Sequence, residues 1–259
     1  MAFAHLDDIQ LYYQTDGSRS KPCLVLSNSL GTDLGMWDRQ AAALAAHFFV
    51  LRYDTRGHGR SGSAGPVTIA RLGQDVLGLL DRLDILRAHF CGISMGGLTG
   101  QWLGIHAANR IGRLVLANTA ARIGAPEAWL ARAAQVRAEG MKGVADGAAG
   151  RWFTPGFIAR EPAAVDRLVQ GLRATAPDGY AACCEALAGA DLRTEVSAIA
   201  SPTLVIAGHD DSVTTVDDAC WLAAQAQDGR VEELAASHLS NIECPEDFSA
   251  CLRRFLTNI

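Results

Sequence analysis

The apolar residues of this chain form two kinds of pattern. Short runs in which nearly every residue is apolar are typical of strands buried on both faces of a sheet. One early stretch, IQLYYQ, instead alternates with a period of two and ends at the turn Asp16-Gly17, which indicates a half-buried strand. The predicted strands are residues 9–14, 22–28, 48–54, 88–94, 113–119, 202–208 and, with a weaker pattern, 230–235.

Helical patterns lie between these strands. In residues 72–83 the apolar positions fall on one face of a helix, and residues 98–108, 219–226 and 246–256 show similar spacing. Strands that alternate with helices predict an α/β fold, in which a mostly parallel central sheet is flanked by helices on both faces.

One long segment, residues 121–192, interrupts this alternation. It contains no buried-strand pattern, is rich in Ala and Arg, and carries four prolines that punctuate helices. We therefore expect a helical cap, or lid, inserted between two strands, because a connection of this length is usually functional. The predicted domains are a core formed by residues 1–120 and 193–259 and a cap formed by residues 121–192.

Composition narrows the choice of partners and compartment. The chain has 259 residues, is 49% hydrophobic, and carries a formal net charge of −5 without a Lys/Arg-rich block, so nucleic acid and membranes are not expected partners. The first residues lack the pattern of a signal peptide, and no apolar run reaches the length of a membrane span. The seven cysteines form no CxxC pair. We expect a soluble cytoplasmic protein whose cysteines are reduced.

The sequence Gly92-Ile93-Ser94-Met95-Gly96 matches G-x-S-x-G at the junction of a predicted strand and a predicted helix. A sharp turn at such a junction forces the serine into a strained conformation, so the residues two positions away must lack side chains. The turn presents the Ser94 hydroxyl at the carboxyl end of the sheet, beside a helix N-terminus that favours negative charge. Ser94 is therefore the candidate nucleophile.

A serine nucleophile requires a general base and a group that orients this base. Of the seven histidines, His238 follows the last predicted strand, where its loop can fold back over the serine. The preceding strand ends at Gly208 and is followed by Asp210 and Asp211, and we favour Asp211 because it lies three residues after the glycine. The predicted triad is Ser94, Asp211 and His238. Its oxyanion hole would use the backbone N–H groups of Met95 and Leu30.

Several longer motifs carry a family resemblance over almost the whole chain. DTRGHGRS at residues 54–61, GISMGG, GHDDSVT and ASHLSNIECPEDF together resemble the α/β-hydrolase superfamily. Within it, NSLGTDLGMWD, LANTAARIG and RWFTPGF at residues 151–157 resemble the 3-oxoadipate enol-lactonases of bacterial aromatic catabolism. One departure is the pair Asn28-Ser29, which stands where many relatives have His-Gly.

The resemblance implies an α/β-hydrolase fold, the same triad and a specific reaction. The substrate would be a small anionic lactone, 3-oxoadipate enol-lactone, opened to 3-oxoadipate through an acyl-enzyme without a metal or cofactor. Its free carboxylate should meet a cation, since an unpaired buried anion is costly. The cap supplies the candidates Arg122, Arg132, Arg137, Lys142, Arg151 and Arg160. Arg151 is named first. Trp129 and Trp152 are candidates either for the pocket wall or for the interior of the cap, and Trp37 either for packing beside the oxyanion loop or for the pocket.

Two other classes of function remain open at this point. Carboxylesterases, carbon–carbon bond hydrolases and cofactor-free perhydrolases use the same triad, so only the shape of the pocket separates them. A ligand-sensing signalling protein on this fold would hydrolyse its ligand slowly, whereas a metabolic enzyme turns over at roughly 1–10³ s⁻¹.

Overall fold

The computed structural model describes residues 2–257, which form an eight-stranded sheet flanked by helices. The strand order is β1-β2-β4-β3-β5-β6-β7-β8, with β1 and β2 antiparallel to their neighbours and all other pairs parallel. The strands are β1 Ala2–His5, β2 Gln10–Asp16, β3 Cys23–Ser27, β4 Phe49–Tyr53, β5 Ala88–Ile93, β6 Ile111–Ala117, β7 Thr203–Gly208 and β8 Gly229–Leu234. This arrangement confirms the predicted fold class.

Twelve α-helices accompany the sheet within the described residues. They are α1 Asp38–Leu44, α2 Ile69–Arg82, α3 Met95–His106, α4 Pro126–Glu139, α5 Lys142–Asp146, α6 Ala148–Trp152, α7 Pro155–Arg160, α8 Pro162–Ala174, α9 Pro177–Ala188, α10 Val216–Gln225, α11 Ser240–Glu243 and α12 Pro245–Thr257. None of these helices is long and apolar enough to cross a membrane.

Several elements of the core differ from the sequence prediction. The prediction missed β1, a four-residue edge strand whose pairing with β2 is needed to define it. It also missed α1, which follows a short 3₁₀ turn, Leu34–Trp37, and buries only part of one face. Helix α2 begins earlier than its apolar pattern because the Thr68 side chain accepts a hydrogen bond from the Arg71 N–H and caps the helix.

The segment between β6 and β7 contains α4–α9 and no strand. Each of the four prolines noted in the sequence is the first residue of a helix, where its missing N–H costs no hydrogen bond. The Leu192 N–H donates to the Ala121 carbonyl at 2.9 Å, so the two ends of this segment meet. We call residues 121–192 the cap, and their division from the core as a domain stays a prediction.

The cap touches the core through a close contact between two glycines. A Cβ atom on Gly57 would lie 2.7 Å from the Gly179 Cα, and one on Gly179 would lie 2.5 Å from the Gly57 carbonyl oxygen. Gly57 also has a φ of +76°, which disfavours other residues. Its loop is anchored below by Arg56, whose buried guanidinium pairs with both oxygens of Asp75 at 2.6 Å. Helix α9 is therefore seated directly on the backbone of this loop.

Candidate active site

Ser94 lies on the sharp turn between β5 and α3. Its backbone has φ 56° and ψ −114°, a strained conformation for a residue with a side chain. A Cβ on Gly92 would lie 2.1 Å from the Gly96 carbonyl, and one on Gly96 would lie 2.4 Å from the Ser27 carbonyl. Both positions of the motif therefore require glycine, and the turn places Ser94 at the carboxyl end of the sheet.

His238 and Asp211 form a buried hydrogen-bonded pair at the same edge of the sheet. His238 follows β8 and its Nδ1 lies 2.8 Å from Asp211 Oδ2. Burial raises the pKa of Asp211, but the hydrogen bond and charge of His238 and the surrounding donors outweigh this and lower the pKa overall. The carboxylate is thus held ionised, and it orients the imidazole so that Nε2 is free to accept a proton.

Asn118 at the end of β6 braces this acid. Its Nδ2 donates to Asp211 Oδ2 and to the Ser237 carbonyl, both at 3.1 Å. Thr214 adds a hydroxyl donor to the same carboxylate oxygen at 2.8 Å. Asn118 has a φ of 43°, a conformation that asparagine adopts more readily than most residues. The end of β6 therefore joins the loops that carry Asp211 and His238.

Ser94 and His238 line one cavity, but no hydrogen bond joins the Ser94 hydroxyl to His238 in the described part of the chain. Such bonds are often long in free enzymes and shorten when substrate binds. Proton transfer from the candidate nucleophile Ser94 to the candidate base His238 would therefore require a side-chain adjustment first.

The backbone N–H groups of Leu30 and Met95 belong to residues close to Ser94, since Leu30 lines the same cavity and Met95 follows Ser94 in the chain. Met95 is the first residue of α3, and the Gly96 N–H donates to the Asn28 carbonyl at 3.1 Å, which brings the loop of Leu30 against this helix. Within residues 2–257, no hydrogen-bond acceptor is found for the N–H of Leu30 or of Met95. The arrangement suits an oxyanion hole, since unpaired N–H groups can stabilise a developing negative charge.

His58 fixes the loop that carries Leu30. The Gly31 N–H donates to His58 Nε2 at 3.0 Å, so the proton of the neutral ring lies on Nδ1, which donates to the Arg56 carbonyl at 3.2 Å. Burial lowers the pKa of His58 to about 4. The histidine is therefore neutral at physiological pH and acts as a hydrogen-bond acceptor beneath the loop.

This buried histidine makes the stability of the fold depend on pH. An unfolded histidine takes up a proton near pH 6.5, whereas His58 in the folded protein resists protonation until about pH 4. Protons therefore favour the unfolded state between these values, and the fold loses on the order of 3 kcal/mol as the pH falls through this window. We expect this loss to be absent from His58→Gln, which keeps an acceptor but does not titrate.

The measurement is urea unfolding of the wild type and His58→Gln at pH 7, 5.5 and 4.5. Burial raises the pKa of Asp54 to about 6, which has the opposite effect on stability, but Asp54 is present in both proteins and cancels in the difference. Parallel stability curves for the two proteins would contradict the assignment of His58 as a buried neutral base.

The cavity above Ser94 has a volume of about 260 Å³ and lies between the sheet edge and the cap. Its walls are mainly apolar. The residues that line it are Ser29, Leu30, Ser94, Ile123, Gly124, Ala125, Ala128, Trp129, Arg132, Arg151, Trp152, Leu172, Tyr180, Val213 and His238. A mainly apolar pocket with a few converging polar groups is typical of a site for a small molecule.

Of the six cap cations considered in the sequence, Arg132 and Arg151 line this cavity. The Arg132 guanidinium lies 4.8 Å from the ring centroid of Trp129, and Arg151 donates to the Val144 carbonyl at 2.6 Å. Burial, followed by the charge of Arg132, lowers the pKa of Arg151. Among the ion pairs of residues 2–257, neither arginine has a carboxylate partner.

The structure corrects one sequence expectation about the pocket. Trp37 does not line the cavity but is fully buried beneath the site, where its Nε1 donates to Asn28 Oδ1 at 3.0 Å and its ring packs near Phe248. Trp129 and Trp152 do line the cavity, as do Leu172 and Tyr180, which the sequence analysis missed. Their helical spacing does not distinguish a cavity wall from the interior of the cap.

The chain matches the model of a known protein family. The family model described as alpha/beta hydrolase family matches residues 24–250. This chain belongs to that family.

Within residues 2–257, no group of three or more His, Cys, Asp or Glu side chains is placed to hold a metal ion.

Several relatives are similar to nearly the whole of this chain. This chain is 50% identical over 96% of its length to 3-oxoadipate enol-lactonase 2 of Acinetobacter baylyi, and the match covers 95% of that protein. The solved enol-lactonase of Burkholderia xenovorans is 49% identical, with a TM-score of 0.97 and coverage of 99% of this chain and 100% of the other. A thermophilic esterase of Thermogutta terrifontis is 27% identical, with a TM-score of 0.91 and coverage of 96% and 93%. The predicted resemblance to the enol-lactonases is confirmed.

Proposed function

We propose that this protein hydrolyses 3-oxoadipate enol-lactone to 3-oxoadipate, with Ser94, His238 and Asp211 as its catalytic triad. The observation that carries the proposal is the composition of one cavity, in which Ser94 and His238 come from the core and Arg132 and Arg151 from the cap. The near-full-length similarity to named enol-lactonases supports the same substrate.

The reaction begins with attack of Ser94 Oγ on the lactone carbonyl while His238 Nε2 accepts the hydroxyl proton. Asp211 stabilises the imidazolium that forms, and the N–H groups of Leu30 and Met95 stabilise the oxyanion. Collapse of this intermediate breaks the ring C–O bond. His238 returns the proton to the leaving enol oxygen, which stays tethered to the acyl-enzyme.

The second half of the reaction uses the same groups. His238 removes a proton from water, which attacks the acyl carbonyl, and collapse of the new intermediate releases the acid as His238 reprotonates Ser94. The product is an enol that tautomerises to 3-oxoadipate. These steps use only groups of the protein and one water molecule.

The two arginines explain how an anionic lactone would be chosen over a neutral ester. The two cations lie together without a carboxylate, and burial disfavours the charge of Arg151. A substrate carboxylate would relieve both effects, and a guanidinium can pair with it through two hydrogen bonds.

The experiment is a turnover assay of the purified protein on 3-oxoadipate enol-lactone beside a neutral aryl acetate. We expect kcat on the lactone in the range of roughly 1–10³ s⁻¹ and a much higher kcat/KM than on the aryl acetate. A preference for the aryl acetate would instead identify a general carboxylesterase. Turnover far below this range with both compounds would favour a ligand sensor.

Replacing either cavity arginine with methionine should impair binding of the charged substrate selectively. We expect Arg132→Met and Arg151→Met to raise KM for the lactone by about 10–100-fold, because a hydrogen bond to a charged group contributes about 1.5–3 kcal/mol. The aryl acetate should be hydrolysed almost unchanged. The measurement is KM and kcat of each variant on both substrates.

Arg137→Met is the matched control, because Arg137 lies in α4 near Arg132 but pairs with Glu185 instead of lining the cavity. The other three cap cations considered in the sequence analysis, Arg122, Lys142 and Arg160, also lie outside the cavity lining. Equal losses on the charged and the neutral substrate would show that the arginines do not recognise the carboxylate.

A further inference from the structure

Two hydrogen bonds bracket the candidate base His238 and tie its loop to the cap. On one side, the Leu239 N–H donates to the Trp152 carbonyl at 3.0 Å. On the other side, the Ser237 N–H donates to Glu243 Oε2 at 3.0 Å. The residues immediately before and after the histidine are thus both held by groups outside their own loop.

Glu243 extends the second connection into the cap. Its Oε2 also accepts the Thr154 N–H at 3.3 Å, and its Oε1 accepts the Thr154 hydroxyl. Thr154 caps helix α7 and lies two residues after Trp152, which lines the cavity. One carboxylate therefore joins the loop of His238 to the end of the cavity wall.

The environment of Glu243 is unusual for a carboxylate. Glu243 is only 8% exposed, and among the ion pairs of residues 2–257 it has no cationic partner. A buried carboxylate without a cation is costly unless hydrogen-bond donors surround it. The donors found here come from two separate segments, so the group stabilises their relative position and not only its own loop.

We propose that Glu243 is a positioning residue that couples the cap segment Trp152–Thr154 to the loop of His238. The inference rests on the proposed function for the identity of the reaction. Glu243 therefore fixes the position of the catalytic base relative to the part of the cavity wall that contains Arg151 and Trp152. The substrate held by this wall is therefore placed at a fixed distance from the base.

The test compares two substitutions at the same position. Glu243→Met is similar in size but accepts no hydrogen bond from Ser237 or Thr154. Glu243→Gln keeps a carbonyl oxygen for the two backbone N–H groups, and its NH₂ can donate to the Thr154 hydroxyl, which is able to accept. Both variants remove the charge, so a difference between them reports on the hydrogen bonds.

The readout is kcat per reactive serine, counted with a fluorophosphonate that labels Ser94, so that unfolded protein does not contribute. We expect Glu243→Met to lower this kcat by about 10–100-fold on the lactone and on the aryl acetate, since a misplacement of about 1 Å can cost this much. It should also raise KM for the lactone. Glu243→Gln should restore most of the activity.

Glu246→Met serves as the control, because Glu246 lies nearby on α12 but is exposed and pairs with Arg39. A second pair of variants tests the bridge itself. Thr154→Val alone should lower kcat. Added to Glu243→Met it should have little further effect, because the connection is then already broken.

Three outcomes would overturn the proposal: unchanged kcat per reactive serine in Glu243→Met, an equal loss in Glu243→Gln, or additive effects of the Glu243 and Thr154 substitutions. Each can be measured on the aryl acetate alone. A wild-type protein that fails to hydrolyse the lactone would refute the proposed function, while the coupling would still be tested on the neutral ester.

Discussion

Ser94→Ala is expected to abolish turnover while leaving the fold intact. The substitution removes only the Oγ atom that would form the acyl-enzyme, and it leaves the strained backbone of the turn and its flanking glycines unchanged. Loss of the nucleophile in a serine triad lowers kcat by a factor on the order of 10⁶. The measurement is kcat on the enol-lactone together with the thermal unfolding midpoint.

Ser29→Ala is the matched control for this experiment. Ser29 is also buried and lines the same cavity, but it lies on the loop after β3 and not on the turn. We expect it to retain activity within about tenfold of the wild type, as for a side chain that makes no covalent bond. If Ser94→Ala kept a tenth of the wild-type activity, Ser94 could not be the nucleophile.

The second large effect is expected for Asp211→Asn. Asp211 Oδ2 receives the His238 Nδ1–H, and an amide NH₂ at this place would oppose that donor and favour the wrong tautomer of the imidazole. In that tautomer Nε2 carries the proton and cannot accept one from Ser94. A loss of kcat on the order of 10⁴ is expected from this cause.

Asp210→Asn tests the neighbouring carboxylate, which the sequence left as the alternative. Asp210 is exposed, and its backbone makes its contacts with Ala236 and Ser237. We expect a change of less than about threefold, which is typical of an exposed surface substitution. Comparable losses in both variants, with circular dichroism spectra like that of the wild type, would contradict the assignment of Asp211.

The sequence predicts the central sheet well because its strands are buried on both faces and read as continuous apolar runs. The prolines of the cap also indicate helix boundaries, and each is the first residue of a helix, a position where proline leaves a local signal. Helices α5 and α6 begin without proline and lack this signal. The edge strand β1 carries no such signal, since its identity depends on its partner β2. Local patterns therefore describe the core better than the edge.

In the candidate site, too, the sequence predicts features that are local in the chain but not those that depend on long-range packing. The motif around Ser94 is local, so sequence can predict its geometry, whereas Trp37 and Trp129 have similar chemistry and opposite placements. Which of them faces the cavity depends on how the cap packs on the core. The sequence likewise does not predict the bridge through Glu243. Its partner Thr154 is far away in the chain, and the spacing between Ser237 and Glu243 forms no recognisable motif.

The contact between Gly57 and Gly179 has a consequence for redesign of this enzyme. A library that varied either position would mostly yield proteins with a displaced cap, because any side chain would collide with the opposite backbone. Ala125, Ala128 and Val213 line the cavity without such a constraint. Directed evolution toward larger esters should therefore begin at these three positions and leave both glycines untouched.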